Sequence, residues 1–432
     1  MNQSATLTAT TEFAANPHML QRVMALAGHS GVEASEDIFS AQGVKLVGKG
    51  ARLGAGMQER LLRHKLRKPL ERTLAVSDLQ LPALSVLAAE QAAQSAVLQT
   101  LLGPGALAAL DRLAAGLHGQ GSRLQLALLL QHGRQALAHA TLNAAVAIEL
   151  AQRLGWESAV LDQAGLAGLF HDAGELYIDP ALLAADRQLS PEEWRHVLVH
   201  PLIGARVVRD TGEFPDAVAR AIEEHHERCN GSGYPRGLRG GGISPLGRLL
   251  AVSNLLVTLC HEQRWPLYRI GLALRMIGGE YDPALVGLIA SEVRAQPQAA
   301  GAWPGQDLLL PAMHGLLLRV GQIVVELQRC EALPLQPDGR QLLAGISLQF
   351  QHIQRAFSST GLDQVESEQL LQGDPTPGLL EQELAAILDE IDWRLRDLGR
   401  RMATLCVSLS PDQQILLQPL LDLLAVRPAQ AA

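Results

Sequence analysis

Apolar positions recur at three- and four-residue steps through most of this chain, which predicts a mainly α protein. The stretch that follows His139 is almost wholly apolar and predicts a helix closing at Gly155. Residues 160–170 predict a second helix that runs straight into His171-Asp172-Ala173-Gly174-Glu175. Ser190-Pro191-Glu192-Glu193 reads as an N-cap, a proline at the first helical position and an acidic first turn. The helix it starts carries its periodic face up to His200-Pro201. Residues 218–224 continue another helix into His225-His226, and residues 229–238 form a glycine-rich loop that cannot be helical. Residues 243–259 then resume as a mostly apolar helix.

The flanks divide differently. Residues 37–47 read as strand, glycine turn, strand, with a helix over 57–66 and a Leu/Ala-rich helical stretch over 81–110. Toward the other end, 308–327 and 341–357 have helical periodicity, and 372–378 is a clear break. After it Leu380, Leu384, Ile387, Leu388, Ile391, Leu395 and Leu398 form one stripe, with most charges off it. Such a stripe closes a bundle within the chain or pairs with a second copy as a homodimer. The expected division is an N-terminal region over 1–110, a central domain over 111–300 and a C-terminal helical region over 301–432.

Composition narrows the class. The chain has 432 residues, enough for two or three domains, and 47% hydrophobic content supplies their cores. Aromatic residues are only 3%, so those cores are Leu, Ala and Val packing. A net charge of −8 argues against a nucleic-acid partner. The four cysteines show no paired spacing, which fits a reducing compartment. The N-terminus lacks the features of a signal peptide, and no run of 18 apolar residues occurs. The expectation is therefore a cytoplasmic protein without a membrane span.

The chemistry lies in the order of histidines. His139 is followed by His171-Asp172, then His200-Pro201, then His225-His226-Glu227-Arg228. Imidazole and carboxylate together are the ligand set of a divalent transition metal, and a carboxylate has two oxygens with which to bridge two ions. His132, His196 and His261 fall outside this order. Taken singly, each histidine could equally be a hydrogen-bonded core residue, and an unmetallated fold kept for packing is the competing account.

The full order, ending in a literal Gly233-Tyr234-Pro235, resembles the HD-GYP family of bacterial metal-dependent phosphohydrolases. The resemblance covers roughly 110–300 and includes Tyr281-Asp282-Pro283. It implies an HD-type helical bundle between a small N-terminal α/β segment and the C-terminal helices. It also implies hydrolysis of cyclic di-GMP with iron or manganese, one or two ions. One metal position would take His139, His171, Asp172 and residue 254; the other would take Asp172 as a bridge with His200, His225 and His226. Water activated between the ions would attack phosphorus. Asp172 and Glu175 occupy the catalytic positions. Arg228, Asn230, Gly233, Tyr234, Pro235 and Arg248 occupy the substrate side, although both arginines could instead pair with Glu223, Glu224 or Glu227.

Three positions depart from the family pattern. Asn254 stands where Asp is expected, Glu175 where Lys is expected, and Asn230 where Asp is expected. The first removes a negative ligand, and the second sets an anion where a cation would meet phosphate, unless Glu175 is simply a solvated charge. No Asp or Glu occurs between Arg112 and Ile148 to supply a third metal site. The expectation is an attenuated phosphodiesterase, with one metal favoured over two. The alternative is an inactive regulator that binds cyclic di-GMP or a GGDEF-type partner through the Gly-Tyr-Pro loop.

Overall fold

The computed structural model describes residues 12–77, 79–184, 187–261, 266–295, 306–359 and 377–426. Helices dominate, as the periodicity predicts. The chain packs as two compact units. The first is drawn from residues up to Arg187, from His196–Arg228 and from Gly233–Val257; the second from Gln188–Arg195, Cys229–Ser232 and residues from Thr258 onward.

In the first unit, strand Ile38–Phe39 pairs antiparallel with Lys45–Val47, and Gly43 turns between them at φ +89°. Strand Val32–Ala34 pairs antiparallel with Leu74–Val76. The helical stretch expected over 81–110 breaks into Leu84–Ala92, Ala96–Leu101 and Pro104–Gly116. Ser95 caps the second of these by accepting from the Leu98 N–H, and Pro104 opens the third, where its missing N–H costs nothing.

The centre of this unit is the helix Arg134–Arg153, buried from Leu137 to Ala151 except at the partly exposed His139. Small side chains let helix Ser158–Phe170 lie against it. A Cβ on Gly168 would come 2.7 Å from Ala144 Cα, so only glycine permits this approach. Gly155 closes the central helix at φ +73°, a conformation that an L side chain adopts poorly. The predicted cap at 190 is a reciprocal box: Ser190 Oγ accepts from Glu193 N–H at 3.2 Å and Ser190 N–H donates to Glu193 Oε2 at 2.9 Å.

The second unit holds helices Gln306–Glu331, Pro337–Ser359, Pro377–Cys406 and Pro411–Ala425. The predicted stripe is met within the chain. Leu384, Leu388, Ile391, Leu395 and Leu398 share one core cluster with Ile323, Ile346, Phe350, Leu417 and Leu424. The break at 372–378 falls mostly outside the described residues, as does the side chain of Leu380. Inside the bundle Arg319 pairs with Asp392 at 2.6 Å and Arg394 with Glu280 at 2.8 Å. Among the described residues one helical segment, Leu309–Glu331, is long and apolar enough to cross a membrane. Its Leu309, Met313, Leu316, Ile323 and Leu327 lie in that same core cluster.

Candidate metal centre

Three of the histidines sit at helix ends, and each is locked there in the same way. His171 follows helix Ser158–Phe170, and its Nδ1 donates to the Gly168 carbonyl at 2.9 Å. His200 opens helix His200–Thr211, and its Nδ1 donates to the Val197 carbonyl at 2.9 Å. His225 follows helix Asp216–Glu224, and its Nδ1 donates to the Ile222 carbonyl at 2.6 Å. A carbonyl can only accept, so each contact fixes a proton on Nδ1; in the neutral ring the Nε2 lone pair is then available, and at His171 the hydrogen bond to Asp172 favours a second proton on Nε2 that a metal would displace. Helix ends are suited to this, because the last carbonyls lack intrahelical partners.

All three Nε2 atoms converge on Asp172, and its two oxygens divide between them. Oδ2 lies 2.8 Å from His171 Nε2 and 3.9 Å from His139 Nε2. Oδ1 lies 3.5 Å from His200 Nε2 and 3.7 Å from His225 Nε2. Two sets of ligand atoms result, each within 4.8 Å: Asp172, His200, His225 and His226, and separately His139, His171 and Asp172. Both could hold a divalent ion. The first has four donors, enough for a closed tetrahedral shell; the second has three.

The electrostatics suit a cation. Burial, reinforced by the neighbouring histidines, pushes His225 and His226 well below the usual imidazole range, so both present neutral rings. Burial also lowers His200, with Asp172 opposing it. For His171 burial acts downward too, but the charge and hydrogen bond of Asp172 outweigh it and raise the group. Burial would raise Asp172, yet its contact with His171 and the nearby His200 and His225 hold it well below the carboxylate range.

Asn254 lies on helix Pro245–His261, and its Oδ1 accepts from Asn143 Nδ2 at 3.2 Å. Asn143 Oδ1 accepts in turn from the Ser253 hydroxyl at 2.7 Å, and Asn143 Nδ2 stands 3.4 Å from His171 Nε2. Asn254 is thus linked through Asn143 to the His171 ring. Glu175 lies in the 3-10 turn Ala173–Tyr177 that Asp172 opens. Burial and the Asp172 charge raise its carboxyl to about 8. It is thus not a freely solvated charge.

The glycine-rich loop folds back on the site. Tyr234 stacks on His226 at 4.6 Å between ring centroids, and its N–H donates to the His226 carbonyl at 3.1 Å. A Cβ on Gly233 would collide with the Arg228 and Glu227 backbone. Pro235 follows through a cis peptide bond. Glu227 is buried and accepts from the N–H groups of Arg236 and Leu238, at 2.7 and 2.9 Å. Glu223 pairs with Arg209 and Arg236, and Glu224 with Arg220. Arg228 donates to the Glu227 carbonyl at 3.0 Å, and Arg248 is half-buried on the Asn254 helix. Asn230 Oδ1 accepts from the Ser232 N–H at 2.9 Å, a turn contact within the loop.

Sequence reasoning missed Asn143 and the structural role of Glu227. Asn143 was detectable, since it lies four residues after His139 and so on the same helix face. Glu227 as a loop cap was not, because its partners lie nine and eleven residues away in an irregular segment.

Residues 123–284 match the HD domain family. Among curated relatives, a cyclic di-GMP phosphodiesterase of Pseudomonas aeruginosa is 29% identical over 199 residues, 45% of this chain and 46% of that protein. The 3'3'-cGAMP-specific phosphodiesterase 3 of Vibrio cholerae is 33% identical over 97 residues, 22% of this chain and 21% of that protein. A cyclic di-GMP phosphodiesterase of Thermotoga maritima is 32% identical over 143 residues, 32% of this chain and 39% of that protein. The chain spans less than half the length of each of these relatives.

Proposed function

We propose, from the match of residues 123–284 to the HD domain family and the likeness to cyclic di-GMP phosphodiesterases, that this chain is an HD-GYP-type, attenuated metal-dependent phosphodiesterase of cyclic di-GMP. The observation that carries this reading is the division of the Asp172 oxygens between two histidine sets. We assign the chemistry to residues 111–300, between an N-terminal region over 1–110 and a C-terminal helical region over 301–432. Asp172, His200, His225 and His226 would hold the principal ion, and His139, His171 and Asp172 a weaker one. Iron or manganese is the proposed metal. When bound, such an ion lowers the pKa of water and neutralises charge on phosphoryl oxygens.

The residues themselves do the rest. The three carbonyl-locked histidines keep their Nε2 atoms aimed, so little reorganisation precedes metal binding. Tyr234, braced on His226, offers a wall for the substrate, with Arg228 and Arg248 proposed as its phosphate contacts. Glu175 and Asn254 account for the attenuation. One brings a carboxyl where phosphate would bind, and the other has its oxygen engaged by Asn143. Asn230 weakens the loop by replacing a charge with an amide.

A second reading rests on the same pair of residues: a regulator that binds cyclic di-GMP or a GGDEF-type partner without turning it over. The bundle's own helices meet the C-terminal stripe, which supports an intramolecular role for it over a homodimer contact. The test is hydrolysis of cyclic di-GMP with added iron or manganese, beside calorimetric binding of the same nucleotide. Slow turnover abolished by Asp172→Ala supports the enzyme. Binding without turnover supports the nucleotide-binding regulator, and neither binding nor turnover overturns the enzyme and leaves only the GGDEF-type partner.

A further inference from the structure

We propose that Arg22, on the N-terminal helix Pro17–Ala27, is a substrate-binding residue that supplies a cation for a phosphate group at the Asp172 turn. This rests on the phosphodiesterase reading for the identity of the ligand, and on contacts within the first unit for its geometry. A phosphoester brings negative charge to a turn that already carries Asp172 and Glu175. The segment Ala173–Tyr177 has no basic residue of its own. A cation on this side of the site must come from another element.

The helix Pro17–Ala27 packs on that turn, and Asn16 makes the joint. Its Oδ1 accepts from the His18 and Met19 N–H groups at 3.0 Å each, which caps the helix. Its Nδ2 donates to the Tyr177 carbonyl at 3.0 Å. Tyr177 is held in turn, because its hydroxyl donates to Glu71 Oε1 at 2.5 Å and accepts from Gln125 Nε2 at 2.8 Å. Met19, Leu20 and Val23 are buried, which fixes the rotation of the helix. Arg22 stands one turn after Met19, on the flank of that buried face.

The hydrogen bonding of Arg22 singles it out. Its Nη1 lies 2.9 Å from His132 Nδ1, and a guanidinium can only donate, so His132 accepts with a neutral ring. Its Nε and Nη2 are shut off from solvent and have no hydrogen-bond partner. These two atoms form one edge of the guanidinium, the fork that meets two oxygens of a carboxylate or phosphate at once. Leaving charged donors buried and unpaired costs free energy that an anionic ligand would restore. Glu175 does not fill the fork, yet it lies within electrostatic reach. Burial lowers the Arg22 pKa and the Glu175 charge opposes it, and the same Glu175 carboxyl responds to Asp172 and His171. The open edge of Arg22 is thus a neighbour of the Asp172 turn, and its match is a phosphate.

The test compares the full manganese-loaded chain with its Arg22→Gln and Arg22→Lys variants. Affinities for cyclic di-GMP and for inorganic phosphate, metal content and Tm are read on the same samples. Arg22→Gln should weaken both affinities about tenfold, the factor that ~1.4 kcal/mol represents. Metal content should be unchanged, and Tm should not fall, since the variant removes unpaired buried donors. Arg22→Lys keeps the charge without the two-donor edge and should recover part of both affinities. Should Arg22→Gln fail to fold, the lysine variant gives the same reading with a smaller factor. Unchanged affinities overturn the inference, and a lower Tm with unchanged affinities makes Arg22 a structural residue only. If the wild type neither binds nor hydrolyses cyclic di-GMP, the phosphodiesterase reading fails and phosphate alone decides. Weaker phosphate binding by Arg22→Gln then keeps the inference for another phosphoester, and equal or absent phosphate binding overturns it.

Discussion

His200 Nε2 and His225 Nε2 face each other at 3.3 Å. Each ring already donates its Nδ1 proton to a backbone carbonyl, so the two neutral rings meet lone pair to lone pair. That arrangement repels unless a cation or a proton lies between them. Asp172 Oδ1 stands 3.5 and 3.7 Å from the same two nitrogens, so the group could hold a metal ion there. Proton uptake is disfavoured, because burial depresses both groups.

Metal should therefore stabilise the protein, and the four-donor set should fill first. At an excess of about 100 times its Kd, one ion contributes about 2.7 kcal/mol. Elemental analysis should give about one transition metal per chain in place of the ~2 of a paired site. His225→Ala should abolish both the bound metal and the shift in Tm. Two tightly held ions per wild-type chain would show that Asn254 or another group completes the second set.

The metal-free protein should show a pH dependence set by Glu175. Its carboxyl is raised from 4.5 to about 8, so between those values the folded state holds a proton that the unfolded state has released. Its contribution to stability is full below about pH 4.5 and is lost as pH rises toward 8. Glu175→Gln removes this loss. Its Tm in the presence of a chelator should exceed that of wild type, with a gap that widens from pH 5 to pH 8. The depressed His225 and His226 act oppositely, losing stability as pH falls below the ordinary imidazole value of 6.5. A constant gap between Glu175→Gln and wild type across this range would show that Glu175 is not perturbed.

Activity should respond to repair at two positions. Asn254→Asp returns a negative donor beside His139 and His171, and Glu175→Lys returns a cation to the Asp172 turn. The first should raise metal content toward ~2 per chain, and the two together should raise cyclic di-GMP turnover by at least about tenfold. Turnover is measured with iron or manganese in excess. A double variant that carries both metals yet stays inert would favour the regulator.

Packing around the Asp172 turn should tolerate no added carbon at Gly174. A Cβ there would collide with the His200 carbonyl and come 2.8 Å from the Gly204 N–H group. Both obstacles are backbone, so the turn or the His200 helix must move. Gly174→Ala should cost about 1–3 kcal/mol and lower metal affinity. Gly204→Ala is the control, since its Cβ meets Gly174 N at 3.1 Å and the side chain of Ile222 at 3.2 Å. Equal chemical-denaturation midpoints for the two variants would contradict this account.

Sequence alone determined the helical class, the ordered ligand set and the loop that follows it. Those features are local: a 3.6-residue period, a cap at Ser190, a closing glycine at 155 and a glycine-rich run at 231–237 each act within one or two turns of chain. The tertiary structure alone decided which nitrogen of each histidine faces Asp172. That choice depends on carbonyls three residues back, at helix ends whose boundaries the periodicity places only loosely. It also decided that the oxygens of Asp172 split between two sets, and that Asn143 engages Asn254 across 111 residues of chain. The single stretch expected over 81–110 became three helices because Ser95 and Pro104 could each start a new one. The C-terminal stripe was legible, but its partners were not. An apolar face states that it must be covered, and only packing chose the helices Gln306–Glu331, Pro337–Ser359 and Pro411–Ala425 to cover it.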